Sequence, residues 1–360
     1  MSLPVLHLSG TPYQQGLQHG QVLQDRIEHN LALYLERFQR EGQLARPELL
    51  RRAARYLAAL QGQSAEYFEN LRGVAQGSGC DLVQLAALNV RYELLYYQFT
   101  QIALADGCTA LALTPEVTAN KHLLLAQNWD WIPEVQGALL HTCEPGGLET
   151  LSFSEAGIVG GKIGLNSAGL GLAINGLTSS DDDWSRLSRP FHLRCYDILR
   201  SPHLEAALQV VTAEQRSCSA NFLIAQTPDR VADIESAPEL TRRLGCEHGA
   251  LVHTNHFFVP DLLGIIEPPN DKLPYSIARL SRMRKLLAAQ RPISSAEIEN
   301  HLRDHRGHPY SICRHLDPAK PPEERYATIV SVIMDLQART LQVSDGPPCQ
   351  SEYQQVSLGK

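Results

Sequence analysis

The sequence is short of several things, and each shortage excludes a class of function. It lacks a basic excess: 32 Lys and Arg face 39 Asp and Glu, a formal charge of −7 over 360 residues. Proteins that grip nucleic acid through its phosphates need the opposite balance, so no nucleic-acid partner is expected. No run of 18 apolar residues occurs, which argues against a membrane-spanning helix and a membrane partner. The opening Met1-Ser2-Leu3-Pro4-Val5-Leu6-His7 has neither a basic region nor a long apolar core, so no secretory signal is expected. The last residues, Ser357-Leu358-Gly359-Lys360, are not a peroxisomal address. None of the eight cysteines stands in a CxxC pair. So dilute a set points to reduced thiols and a cytoplasmic protein rather than a disulfide framework. Internal repeats and low-complexity tracts are also missing. With 43% apolar residues the chain can bury a sizeable core, and composition says nothing of its chemistry.

The first hundred residues read as helical. Thr11-Pro12 has the form of an N-cap followed by proline at the first helical position. Helical spacing continues through Leu17, Ile27, Leu31, Tyr34 and Phe38, again from Pro47 through Leu60, and again from Asp81 to Phe99. At Asp106-Gly107-Cys108 the character changes to short apolar runs separated by glycine, among them Leu123–Ala126, Ile158–Gly160 and Leu170–Ile174. These read as strands. Helices are expected again at Phe191–Leu199, Leu204–Val211 and Tyr275–Ala289. Strands are expected at Asn221–Ala225, Val231–Ile234, Leu251–Thr254, Ala327–Met334 and Leu341–Val343. Strands flanked by helix pairs predict an α+β fold with sheets packed between helices.

Cys108 stands at the junction of the two regimes. A buried core cysteine is the simplest reading of any one cysteine. Gly107, however, lets the backbone bend so that the thiol can approach the preceding carbonyl. Cutting that bond would give Cys108 a free α-amine, a base titrating at about 7.7–8.0 beside its own thiol.

Five blocks then carry a resemblance. They are Gly10-Thr11-Pro12-Tyr13 with Gln18-His19-Gly20; Asp106-Gly107-Cys108-Thr109 followed by Gln127-Asn128-Trp129-Asp130-Trp131; Gly164-Leu165-Asn166-Ser167-Ala168-Gly169 ending at Asn175; His253-Thr254-Asn255-His256; and Pro309-Tyr310-Ser311-Ile312-Cys313-Arg314. In this order they resemble the acyl-CoA:6-aminopenicillanate acyltransferase family, peptidase C45-like cysteine N-terminal-nucleophile enzymes related to bile salt hydrolases and penicillin V acylases. The resemblance implies a four-layer αββα sandwich with a helical N-terminal region. It further implies a precursor cut between Gly107 and Cys108 into residues 1–107 and 108–360, which stay together as an αβ heterodimer; self-association of that pair is left open.

Carried over residue by residue, the resemblance makes Cys108 the nucleophile and Asp130 the carboxylate holding its mature α-amine. Asn255 becomes the oxyanion donor, Asn175 a second site asparagine and Arg314 the cation beside the thiol. Ser311 matches a serine of the family without a clear role. Trp129 and Trp131, pointing away from Asp130 if their segment is a strand, either line an acyl pocket or pack in the core. Ala110 departs from the fungal pattern, where a second threonine follows. The implied reaction is acyl transfer or hydrolysis at a small-molecule amide or acyl-CoA-type thioester, with no cofactor.

Competing readings weigh less. His301, His305 and His308, with His315 beyond, invite a metal-dependent hydrolase, but Gly307 and Pro309 break the helix and no HExxH glutamate accompanies them. Ordinary histidines and no metal are expected there. A non-catalytic relative of the family is the remaining alternative. Gly157-x3-Gly161-Lys162 is one residue short of a phosphate loop and lacks its final Ser or Thr. Asp181-Asp182-Asp183 reads as a solvated loop. Arg279, Arg282, Arg284 and Lys285 read as a solvated helix face, with Ile277, Leu280, Met283 and Leu287 inward.

Overall fold

The computed structural model describes residues 3–40, 43–95, 107–268 and 273–359. Phe99 and Asp106, named above, lie outside them. The N-terminal region builds strand β1 (Val5–Leu8) and helices α1 (Pro12–Val22), α2 (Gln24–Arg40), α3 (Arg46–Gln63), α4 (Ala65–Ser78) and α5 (Leu82–Asn89). Residues 91–95 are helical as well. Helix α1 begins where the sequence places it. Thr11 Oγ1 accepts from Gln14 N at 3.3 Å, and Gln14 Oε1 accepts from Thr11 N at 2.8 Å, a reciprocal capping box. Helices α1 and α4 touch backbone to backbone along a glycine seam. A Cβ on Gly16 would lie 1.9 Å from the Asn70 carbonyl oxygen, and one on Gly73 2.2 Å from that of Tyr13.

The remainder folds into two sheets. One has the order β1-β4-β5-β6-β7-β8-β9-β10, with β4 (Gly137–Cys143), β5 (Glu149–Glu155), β6 (Ile163–Asn166), β7 (Leu170–Gly176), β8 (Ala220–Gln226), β9 (Arg230–Ser236) and β10 (Thr241–Leu244). The other has the order β11-β2-β3-β12-β13-β14, with β2 (Thr109–Leu113), β3 (Leu124–Trp131), β11 (Ala250–His253), β12 (Ala327–Asp335), β13 (Thr340–Asp345) and β14 (Gln354–Ser357). Strand β7 faces β2 and β3 across the interface. There Gln127 on β3 donates to the Ile174 carbonyl at 2.5 Å and accepts from the Ile174 amide at 2.9 Å, stitching the sheets through a buried amide whose two ends are both bonded.

Helices α6 (Phe191–Leu199) and α7 (Leu204–Thr212) cover the eight-stranded sheet. Helices α8 (Leu273–Ala289) and α9 (Ser295–Leu302) cover the six-stranded one. This is the four-layer αββα arrangement that the resemblance implies. Strand β1 pairs parallel to β4. Two details differ from the sequence reading. Ile158–Gly160 is a turn rather than a strand, since Gly157 and Gly160 adopt φ of 94° and 68°, which bend the chain out of extension. On α8, Leu280, Met283 and Leu287 face inward, whereas Ile277 is exposed.

Candidate active site

The site gathers at one end of four neighbouring strands, β11, β2, β3 and β12. Cys108 immediately precedes β2, and its thiol donates toward the Asp130 carbonyl with Sγ at 3.8 Å. Register pairs Thr109 with Asn128, which leaves Asp130 at the far end of β3, level with the residue before Cys108. On the other side of β3, Asp130 pairs with Thr328, whose hydroxyl donates to Asp130 Oδ1 at 2.7 Å. Gly107 fills the remaining gap: a Cβ there would stand 2.2 Å from Arg314 Nη1 and 2.6 Å from Asp130 Oδ2. A carboxylate and a guanidinium therefore close on the peptide that joins residues 107 and 108. The Cys108 side chain is fully buried.

Alternation along β3 explains its unusual sequence. Gln127, Trp129 and Trp131 point toward the other sheet and the N-terminal helices; Asn128 and Asp130 point to the opposite face. Asn128 donates to the Leu302 and Ile312 carbonyls at 2.9 and 2.8 Å, fixing the entry of the strap that carries Arg314. Trp131 donates Nε1 to the Tyr34 hydroxyl at 2.6 Å, and Trp129 packs 5.5 Å from the Phe153 ring centroid. Both tryptophans point away from Asp130 as expected, and both rest against core residues. Ser311 donates to the Cys313 carbonyl at 2.6 Å, a bond internal to the strap.

Asn255 lies two residues beyond β11, where His253 pairs with Ala110. Continuing that antiparallel register brings Asn255 level with Cys108. Its amide orientation is fixed: Oδ1 accepts from Arg279 Nη2 at 3.0 Å and Nδ2 donates to the Gly176 carbonyl at 3.2 Å. One N–H of that amide is thus committed, and the amide has a second to offer. Arg279 is buried, not on a solvated face, which corrects the sequence reading. Asn175 sits one layer away on β7. Its Nδ2 reaches the His253 carbonyl at 3.5 Å, and its Oδ1 accepts from Asn221 at 3.3 Å. The structure thus brings Cys108, Asp130 and Arg314 together around Gly107, sets Asn255 at the adjoining strand end, and joins Asn175 to it through His253.

Several polar residues of this region have partners that the sequence reading does not supply. Lys162 lies buried beneath Trp129, its Nζ 3.2 Å from the ring centroid, and pairs with Glu155, which also binds Arg91 and the Tyr34 hydroxyl. Burial pulls the Lys162 ammonium down to about 7, while Glu155 and the nearby Cys108 oppose that pull. Burial would raise Glu155, but Arg91 and Lys162 outweigh it and hold the carboxyl at about 2. His253 is buried with Nε2 3.1 Å from Glu235; burial lowers its basicity, but Asp233 and Glu235 together raise it above the ordinary value. His256, bonded to Ser276 at 2.8 Å, is pushed down to about 4 by burial. Asp182, expected in a solvated loop, is instead buried and accepts from Ser179 and Ser219. His301 and His308 supply no donor to the one histidine-containing cluster near them, whose members are His305, Cys313, His315 and Cys349 among the described residues. That corrects the grouping of His301, His305 and His308.

Comparison with known proteins adds a family. A protein of Emericella nidulans described as the acyl-coenzyme A:6-aminopenicillanic-acid-acyltransferase 40 kDa form is 26% identical over 350 residues, 96% of this chain and 93% of its own. Among solved structures, a mutant form of the conjugated bile acid hydrolase from Clostridium perfringens covers 70% of this chain and 92% of its own, at 13% identity and a TM-score of 0.49. The N-acylethanolamine-hydrolyzing acid amidase ortholog of Caenorhabditis elegans covers 64% and 93%, at 12% identity and a TM-score of 0.46. The family model for acyl-coenzyme A:6-aminopenicillanic acid acyl-transferase matches residues 117–349. By that match, which spans most of the chain, this protein belongs to the acyl-coenzyme A:6-aminopenicillanic acid acyl-transferase family.

Proposed function

We propose that the chain is a self-processing cysteine enzyme that cleaves or transfers acyl groups at an amide or thioester. The observation that carries this reading is the closure of Asp130 and Arg314 on Gly107, directly ahead of the Cys108 thiol. Family membership and the full-length relative support acyl chemistry on small molecules. In the reading, the Cys108 thiol attacks the Gly107 carbonyl, the C–N bond breaks to free the α-amine and leave a Gly107–Cys108 thioester, and water hydrolyses that thioester to a Gly107 carboxylate and the free thiol, leaving fragments of residues 1–107 and 108–360 as an αβ pair. The new α-amine lies where the Asp130 carboxylate can hold it, and it serves as the base.

In the acyl-transfer cycle, the α-amine takes the thiol proton and the thiolate adds to the substrate carbonyl. Negative charge builds on that oxygen, toward which Asn255 offers its uncommitted amide N–H. Collapse of the intermediate breaks the bond to the leaving amine or thiol, which departs with the proton held on the α-ammonium. Water or an acceptor amine, deprotonated by the same group, then attacks the acyl-Cys108 thioester and restores the thiol. Arg314 supplies a fixed positive charge beside this exchange, and Lys162 adds one from below only while it is protonated; each favours the thiolate. Hydrolysis and transfer share every one of these residues, so the acceptor decides between them.

Intact mass and N-terminal sequencing test the reading. The protein is expected as fragments of about 12 and 28 kDa, in proportion to 107 and 253 of 360 residues, the larger beginning at Cys108. Cys108→Ala is expected as one chain without activity. An active wild-type protein whose only N-terminus lies upstream of Cys108 would overturn it.

A further inference from the structure

The strap that delivers Arg314 closes on a second cluster of side chains, separate from the group around Cys108. His305 Nε2 stands 3.1 Å from His315 Nε2. Both cysteine sulfurs approach the same His315 nitrogen, Cys313 at 3.6 Å and Cys349 at 3.3 Å, and lie 3.6 Å from each other. All four donor atoms fall within 4.8 Å of one another. A tetrahedral ion bound about 2.3 Å from sulfur and about 2.0–2.1 Å from nitrogen holds its donors roughly 3.3–3.8 Å apart. The three shortest separations involving sulfur, and to within a few tenths of an ångström the nitrogen pair, have that spacing. We propose that His305, Cys313, His315 and Cys349 form a tetrahedral zinc site that fastens the Arg314 strap to the loop between β13 and β14.

The alternatives account for less of the geometry. A disulfide needs sulfurs about 2.05 Å apart and has no use for two imidazoles converging on them. A histidine–histidine hydrogen bond explains the nitrogen pair and leaves both thiols unexplained. Two thiolates and two neutral imidazoles balance the charge of a divalent ion, and the donor set is that of closed, structural zinc sites rather than hydrolytic ones, which keep a position for water. The site also has a placement that makes sense. Cys313 and His315 flank Arg314, whose backbone amide donates to the Thr328 hydroxyl at 3.0 Å, the same hydroxyl that donates to Asp130. Ligands on either side of one residue fix that residue's backbone, so an ion here holds the cation of the active site in place. The ligands come from positions 305 to 349, and no pair of them has the compact spacing by which zinc sites are usually read from sequence.

Metal analysis of the full chain tests the proposal without recourse to activity. Protein made with added Zn²⁺ and dialysed against metal-free buffer is expected to hold about one zinc per chain. Cys80→Ala, outside the cluster, is expected to keep it. The His305→Ala/Cys349→Ala double variant, altered only at exposed positions, is expected to hold less than a tenth, and Cys349→His to retain it. Replacement by Co²⁺ is expected to give a thiolate charge-transfer band and the visible spectrum of a tetrahedral site. Zinc absent from the wild type, zinc undiminished in the double variant, or a Cys313–Cys349 disulfide in protein purified without reductant would each overturn the proposal.

Discussion

Arg279 donates Nη2 to Oδ1 of Asn255 at 3.0 Å, and in doing so decides which end of that amide is a donor. A guanidinium has no acceptor, so the oxygen must face it and Nδ2 must face the other way. Asn255→Ala is expected to lower turnover by about 10²–10³ with little change in KM, the scale of a lost oxyanion donor. Arg279→Ala is expected to fall between that and wild type. Steady-state kinetics on cleaved protein check both, and turnover within a few-fold of wild type for Asn255→Ala would place the donor elsewhere.

Gly107 leaves no room for a side chain. Alanine there would push a methyl group into Arg314 Nη1 and Asp130 Oδ2. Gly107→Ala is expected to slow self-cleavage by about 10²-fold, the cost of misplacing reacting groups by an ångström. The uncut fraction on a denaturing gel over time measures it. Processing at the wild-type rate would show that the contact does not matter to cleavage.

The proposed base separates this site from a cysteine–histidine hydrolase. Asp130→Asn is expected to cost about 10²-fold or more in protein confirmed as cleaved. Thr328→Val, which removes the hydroxyl bonded to Asp130, is expected to cost less. His253→Gln and His256→Gln are expected to keep at least about a tenth of activity, a loss smaller than that of a missing acid–base group. A single histidine variant that is dead while Asp130→Asn is nearly silent would contradict the α-amine mechanism.

Glu155 binds Arg91, Lys162 and Tyr34 in a buried cluster behind the thiol. Glu155→Gln leaves two cations without their carboxylate, a change expected to destabilise the protein by about 3–5 kcal/mol in chemical denaturation. The carboxyl lies at about 2 in the folded protein, below its ordinary 4.5. Its contribution is therefore complete above about 4.5 and is lost as pH falls toward 2.

Glu93 behaves in the opposite sense. Its carboxyl receives the Phe191 amide at 2.6 Å at the start of α6, but burial prevails and raises it from 4.5 to about 7. Between those values the folded protein holds a proton that the unfolded chain has released. Stability from this group is thus full below about 4.5 and falls as pH rises to 7, by at most about 1.4 kcal/mol per pH unit. Glu93→Gln is expected to flatten that part of the unfolding profile, and an unchanged slope would assign it to other groups.

How much of this was legible in the sequence depended on how local the signal was. Helix α1 announces itself through Thr11, Pro12 and Gln14, all within one turn. The Gln127–Trp131 segment shows its alternation in five residues. Strand β1 is only four residues long and is stabilised by β4, more than 130 positions away, so nothing nearby marks it. Ile158–Gly160 has strand composition, but the glycines on either side of its apolar pair turn left-handed. Arg279 reads as one of several surface arginines because its partner, Asn255, is on another element. Lys162 sits in a glycine block that resembles a failed phosphate loop, and its true neighbours, Glu155 and Trp129, meet it only in the folded chain. The residues that sequence resemblance carries over are those of the proposed reacting centre; the residues that orient and charge them are set by packing.

Strand β1 also decides what the edge of the eight-stranded sheet exposes. It covers the edge of β4 with a parallel ladder from Val5 to Leu8, and Leu6 and Leu8 are buried there. Without these residues β4 would present a bare row of backbone donors and acceptors beside Leu139 and Leu140, the template on which strands of separate molecules pair. The four-residue β1 thus stands as the edge of this sheet in place of the seven-residue β4. A chain beginning after Leu8 is expected to associate edge to edge, whatever becomes of its catalytic site.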